Sequence, residues 1–322
     1  MRPAFAYARG LALVAAIVGL GLPSIAFADS PVSLAPMGRM VWACSRSGVV
    51  GLSASTGTVV FRSNLESAYC TRVVPSMSGV WVAGGATDKN TGLLTKINSQ
   101  TGFAKTILKI RGGAVTAVAA SAGRVWIIAG PPGDARVLIV NARTGRVTGT
   151  VAGAKQPVAI AADDTGVWIA TAQGRLLYAR RAGASAHFVL ALPTTTPHGL
   201  SAPPVLSLGS RSAWVSAGET VVRIDERSRR VLARIRLPGT PFTLAVGDGA
   251  LWAGVFRLPN ASRLVKVDVR DNAVISSASV PFASASVAVG AGGVWLGLAR
   301  AAPRVLRVNP KTLRLHLLAI LG

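Results

Sequence analysis

Hydrophobic residues in this chain come in short runs that alternate with polar ones and are cut at close intervals by Gly, Asp, Asn and Ser. The stretch SGVWVAGG, residues 78–85, shows the type: a tryptophan between two valines, with glycines on either side. Similar phrases surround Trp42, Trp81, Trp126, Trp168, Trp214, Trp252 and Trp295, spaced 38 to 46 residues apart. A period of that length points to propeller blades or to helical arrays, and the local pattern decides between them.

An aliphatic residue stands eight positions before every tryptophan: Leu34, Val73, Val118, Ile160, Leu206, Leu244 and Val287. Proline opens several units eleven positions before it, as Pro31, Pro157, Pro203 and Pro241. Each unit therefore predicts a short strand (PVAIAA, 157–162), a tight polar turn (DDTG, 163–166) and a second strand (VWIATA, 167–172). The second half of each unit is as regular. An alternating strand ends in Asn98, Asn141, Asp225, Asp268 or Asn309, then come loose polar positions, often a Gly, and a fourth strand. Asn and Asp suit that place because their side chains bond the turn backbone, while Gly102 or Gly145 can take positive φ. Blade one uses Ser53 there, and YARRAG in blade four is degenerate.

No unit holds a long run of 3.6-residue periodicity, so helical repeats fail. Four antiparallel strands repeated seven times predict an all-β, seven-bladed β-propeller running from about Pro31 to Gly322. In this register, strands a to d of every blade come from one unit. The ring then closes by side-chain packing between blades seven and one, unless the register shifts at the ends. The aligned tryptophans are expected to be core residues that fill the gap between splayed sheets, with an indole N–H that can find a backbone partner.

GVWVAGG with KINSQTG, VWIIAG with IVNARTG, and AWVSAG with RIDERSR resemble the YVTN-type β-propeller repeat, and more distantly the virginiamycin B lyase-like and quinoprotein-like propellers. The resemblance covers all seven units. It implies a fold and carries little about activity, because many functions are grafted on propellers.

The N-terminus changes the picture of where such a ring works. MRPAFAYARG is basic, LALVAAIVGLGL is apolar but short, and Ala26-Phe27-Ala28 precedes Asp29 as a small-x-small site. Residues 1–28 read as a Sec-type signal peptide, leaving 29–322 as a single propeller domain, periplasmic or secreted. The rest of the chain has no apolar run long enough for a membrane anchor. Export permits a disulfide between the two cysteines, Cys44 and Cys70, which would contribute about 3 kcal/mol. Two buried thiols are the alternative. Cys44 lies two residues past Trp42, on the same face of its strand, and Cys70 opens the next unit, so a bridge would staple blade one to blade two.

Charge is lopsided: 35 Lys and Arg against 12 Asp and Glu, a net +23 that falls to +21 when Arg2 and Arg9 leave with the signal. Such an excess is either attraction to a polyanion or a general surface bias. The arginines are scattered rather than clustered, and no aromatics alternate with them as a stacking platform would need.

Candidate chemistry is sparse. In a propeller the b–c and d–a loops share one face, where ligands usually sit. Here those loops carry Asp88, Lys89, Asp134, His198, Arg257 and Arg300, which are either ligand-face residues or ordinary solvated loop residues. His187, His198 and His316 lack metal-ligand spacing, and no innermost strand carries an acid in its middle, so no metal is expected. The His and Glu pair of virginiamycin B lyase has no match and no G-x-S-x-G occurs, which argues against an enzyme; the tryptophan precedes the polar turn, unlike in quinoprotein repeats, and there is no vicinal Cys pair, so no cofactor is expected. The sequence therefore points to an exported, non-enzymatic binding or scaffold propeller, expected to be a monomer, whose loops meet a protein, a cell-envelope glycan or another polyanion. The alternative is a propeller enzyme of the lyase or lactonase type with a dispersed, loop-borne site.

Overall fold

The computed structural model describes residues 33–45, 48–66, 69–88, 90–121, 123–131, 133–180, 185–193, 203–257, 261–280, 284–298 and 304–321. Residues 1–28, expected from the sequence to be a signal peptide, lie outside them, as do Lys89, His198 and Arg300. Among the described residues, twenty-eight strands fall into seven four-stranded sheets, each taken in chain order, and every pairing within a sheet is antiparallel. The seven innermost (a) strands are Ser33–Met37, Tyr69–Ser76, Val115–Ser121, Pro157–Ala162, Leu206–Gly209, Thr240–Gly247 and Ser284–Gly290. Sequential antiparallel order puts all a–b and c–d turns at one end of the ring. All b–c and d–a connections lie at the other end.

The turns form for the reason their residues suggest. Asn98 Oδ1 accepts the Gln100 amide at 2.8 Å and the Thr101 amide at 3.1 Å. Asn141, Asp268 and Asn309 each bond two amides in the same way, while Asp225 accepts the amide and the hydroxyl of Ser228. Four residues on, the chain takes positive φ at Gly57, Gly102 and Gly145. In blades five to seven, Arg229, Asn272 and Leu313 adopt the same left-handed backbone at φ 59°, 55° and 57°. These side chains give up the ease of glycine and gain a contact with a neighbour. Arg229 lies 4.3 Å over the Tyr178 ring of blade four, Asn272 accepts from Arg223 of blade five, and Leu313 packs into the blade six–seven core.

Seven buried clusters, not one, make up the core, and each sits between two blades. The tryptophan of one blade packs against the aliphatic residue eight positions before the next tryptophan, as Trp126 does with Ile160 and Trp214 with Leu244. All seven tryptophans are fully buried, within 1% of complete. Trp214 donates to the Gly209 carbonyl at 3.2 Å and Trp295 to the Gly290 carbonyl at 2.8 Å. The indole N–H groups of Trp42, Trp81, Trp168 and Trp252 have no hydrogen-bond partner. In the two satisfied blades a glycine at positive φ ends the inner strand and turns its carbonyl toward the ring.

Strand c supplies what the sequence pattern did not reveal. The residue paired across from the tryptophan is a cation in four blades: Lys96, Arg223, Lys266 and Arg307. Each lies over its tryptophan ring, at 5.3, 5.0, 5.3 and 5.5 Å respectively. Blade four uses Tyr178 edge-on at 5.1 Å, and in blade one Phe61 stacks on Trp42 at 5.8 Å. Two of these cations also tie blades together. Lys266 donates to the Pro310 carbonyl at 2.9 Å, and Arg223 reaches the Val269 carbonyl and, at 2.9 Å, Asn272. Part of the positive charge is therefore structural. Other cations, among them Lys105, Lys109, Arg234 and Arg236, occupy exposed positions of outermost strands, where charge discourages edge-to-edge pairing. Replacing Arg223 by Met keeps the apolar stem but removes its polar links, and should cost about 1.5–3 kcal/mol. Chemical denaturation checks this, and an unchanged midpoint counts against an interblade role.

The ring closes without strand exchange. Blade one contributes Leu34, Val41, Ala43, Leu52 and Ala54 to the closing cluster, and blade seven contributes Ala288, Trp295, Val305 and Leu321. Backbones approach closely there: a Cβ added at Gly290 would lie 3.0 Å from Pro36 Cβ, and one at Gly57 would lie 2.7 Å from Leu318 Cγ. Cys44 and Cys70 are joined in a disulfide with their Cα atoms 5.9 Å apart, inside the cluster that also holds Trp42, Val73 and Val80. The bridge links the second strand of blade one to the inner strand of blade two.

Candidate functional site

The end of the ring that gathers the b–c and d–a connections is built loop by loop. In blade two the chain leaves strand Gly79–Gly85 and re-enters at Thr91. Asp88 shapes the intervening loop. Its carboxylate accepts the Asn90 amide at 2.9 Å, the Thr91 amide at 2.8 Å and the Thr91 hydroxyl at 2.7 Å. The Thr91 hydroxyl first, then the Asn90 amide, hold this exposed carboxyl below the ordinary aspartate value. Its contribution to loop order is accordingly present above the unfolded aspartate pKa and is lost as pH falls through the lowered one.

Asp134 belongs to the blade-three loop and pairs with Arg136 at 3.1 Å, both side chains well exposed, a contact worth little energetically. Arg257 ends the second strand of blade six and is exposed. Asp88 and Asp134 both spend their oxygens within their own loops rather than on each other. Among the described residues, the carboxylates of this face are therefore held within separate loops and do not form a convergent set. Among the described residues no group of three or more His, Cys, Asp or Glu comes together in a way that would hold a metal ion.

The inner strands hold a feature that the sequence reading passed over. Five of them carry a register shift near their start, at Thr71, Thr116, Val158, Phe242 and Ala285, each ten positions before the tryptophan. Such bulges re-aim the residue that follows. That next residue is small in six blades: Ser33, Ala117, Ala159, Val205, Thr243 and Ser286. It faces the following blade, as Ser33 does in donating to the Val73 carbonyl at 3.4 Å and Thr243 in accepting the Val287 amide at 3.1 Å. In blade two the same position is Arg72.

Arg72 is the one charged residue on any of the seven inner strands. Burial lowers its pKa, and no described residue offers its side chain a hydrogen bond or ion pair. Every acid of the chain except Asp29 lies among the described residues, so none of these is its counter-ion. Arg72 pairs with Ala83, two residues from the strand end at Gly85, which places it near the b–c and d–a mouth. The signal was in the sequence. Aligning the seven units on tryptophan shows one long cation in a column of small residues, visible only when the position nine before it is compared.

No protein-family model matches the chain, and no curated protein matches it. Among the described residues no helix is long and apolar enough to cross a membrane. Solved structures do match in fold. A chain in the crystal structure of the mitotic checkpoint complex superposes with a TM-score of 0.64 at 12% identity, covering 85% of this chain and 87% of that one. The computationally designed Ika8 protein superposes with a TM-score of 0.61 at 14% identity, covering 87% of this chain and 96% of its own. At these identities the likeness is one of fold: this chain is a seven-bladed β-propeller of four-stranded antiparallel blades.

Proposed function

We propose that this chain is an exported, non-enzymatic binding or scaffold propeller of the YVTN-like repeat type. It works in the periplasm or outside the cell, after removal of residues 1–28, and presents its b–c and d–a face to a protein, an envelope glycan or another polyanion. The observation that carries this reading lies in the blade-two b–c loop: Thr87, Asp88 and Asn90 are exposed, yet the Asp88 carboxylate accepts three hydrogen bonds from Asn90 and Thr91. A loop ordered before it meets a partner loses less entropy on binding, which is what a presentation surface needs. A propeller of like fold is a chain of the mitotic checkpoint complex, so such rings do serve within protein assemblies.

The test presents the purified protein to heparin, duplex DNA and an array of envelope glycans. Asp88→Ala and Arg257→Ala should weaken the captured ligand, while Arg143→Ala, in a c–d turn at the opposite end, should leave it unchanged. Retention lost with Arg143→Ala and kept in the other two variants would overturn the assignment of the face. Salt dependence sorts the ligand class, because binding driven by counterion release weakens steeply with ionic strength.

A further inference from the structure

We propose that the end of the ring made by the a–b and c–d turns docks, over blades seven, one, two and three, on an anionic lipid surface. The b–c and d–a loops then point away from the bilayer. This goes beyond the binding-propeller reading, because it concerns the opposite end of the ring and stands without it. Three observations carry it.

The first is the distribution of acids. Among the described residues, Glu66, Asp88, Asp134 and Glu219 lie in b–c and d–a connections. The acids of the turn end begin at Asp163 and finish at Asp271, and all belong to blades four, five and six. The a–b and c–d turns of blades seven, one, two and three hold none. Because blade seven packs on blade one, those four blades form one continuous sector.

The second is the cations of that sector. Arg39, Lys105, Arg143, Arg146, Lys311 and Arg314 are exposed in its turns or beside them. None of the six forms an ion pair among the described residues. In blades five and six, by contrast, Arg227 and Arg270 act on the nearby carboxylates of Asp225 and Asp268. The positive field of the acid-free sector is therefore turned outward.

The third is the apolar side chains set among these cations. Met77, at the tip of the blade-two a–b turn, is fully exposed, and Phe103, in the c–d turn of the same blade, is 70% exposed. Val59 and Val60 of blade one and Val147 of blade three are exposed where their outermost strands leave the same kind of turn. The two tips are held in place. The Ser76 hydroxyl donates to the Gly79 carbonyl at 2.9 Å beneath Met77, and the Phe103 carbonyl accepts the Asn98 amide at 2.9 Å. Scattered exposed hydrophobics are ordinary. Their concentration in one basic, acid-free sector matches a partner with anionic headgroups over hydrocarbon. A soluble polyanion attracts the cations equally, but it has no hydrocarbon to receive Met77.

The probes are vesicles of phosphatidylglycerol mixed with phosphatidylcholine, with pure phosphatidylcholine as the control, read by cosedimentation. The parent protein should bind the anionic vesicles in preference and be released as salt rises. Met77→Ser with Phe103→Ser should weaken that binding about tenfold. Arg143→Ala, Arg146→Ala and Lys311→Ala together should weaken it about a hundredfold at low salt. Arg227→Ala with Arg230→Ala, at the same end but beside acids, should have little effect. All these positions are exposed, and near-UV circular dichroism establishes that the variants are folded. The comparisons use the full chain and are repeated without residues 1–28, which hold none of the described strands, so that the apolar run there does not account for binding. Three results would each overturn the docking surface. They are no preference of the parent for anionic vesicles, equal binding by the Met77 and Phe103 variant, and as large a loss from Arg227 and Arg230 as from the sector cations.

The two readings fail separately. Asp88→Ala and Arg257→Ala should leave vesicle binding unchanged. Absent vesicle binding, with loop-face capture still responding to those two substitutions, removes the docking surface alone. Vesicle binding with capture insensitive to them removes the loop-face reading alone.

Discussion

Trp295→Ala should lower the stability of this propeller by about 3–5 kcal/mol, the largest effect expected from any single truncation here. Every tryptophan of the repeat is buried, so each truncation opens a cavity between two blades. Trp295 differs in what lies on the two sides of that gap. Its cluster joins blade seven to blade one, where the ring meets itself and no strand crosses. The indole also donates to the Gly290 carbonyl and carries Arg307 over its face at 5.5 Å, so those contacts go as well. Urea unfolding reports the stability loss. Hydrogen exchange should show the first and last blades losing protection before the middle ones, a pattern that Trp126→Ala should not give. Uniform loss of protection in both variants would mean that closure is not a weak point. A midpoint shift equivalent to less than about 1 kcal/mol would contradict the packing argument itself.

The second large effect concerns the bridge. Breaking Cys44–Cys70 should cost about 3 kcal/mol, because it releases the chain between two positions 26 residues apart in sequence. The bridge also spans two blades, so its loss frees the blade one–blade two interface as well as lengthening the accessible unfolded chain. The double variant Cys44→Ala, Cys70→Ala should unfold at the same denaturant concentration with or without reductant. The parent protein should fall to nearly that level when dithiothreitol is added. Intact mass measured before and after reduction and alkylation checks the bond directly. Two free thiols in the protein purified without reductant would remove it, together with the expected difference.

Much of the fold could be read from single residues because its causes are local. A Val-Trp-Val run after a Gly turn reads as a strand anywhere, and an Asn followed by polar residues and a Gly reads as a turn. Asn98, Asn141 and Asn309 cap their turns through neighbours two and three residues away, contacts that need no tertiary structure. The tryptophan column likewise needed only counting. The site was less legible. Asp88 and Asp134 lie on the anticipated face, but each satisfies itself within its own loop, and a loop's hydrogen bonds cannot be read from its composition. Lys89, His198 and Arg300 fall outside the described residues.

Arg72 marks the limit more sharply. The sequence alone determined that seven similar units follow one another, that each makes four strands, and which end of the ring carries the long loops. Those properties follow from periodicity and turn chemistry, which act over a few residues. Only the tertiary structure decided that four strand-c cations stack on tryptophans and that glycines 57 and 290 admit the closing contacts. It alone also decided that Arg72 has no counter-charge. Each depends on which side chains the neighbouring blade brings within a few ångströms, across some 40 residues of chain or, at the closure, nearly its whole length.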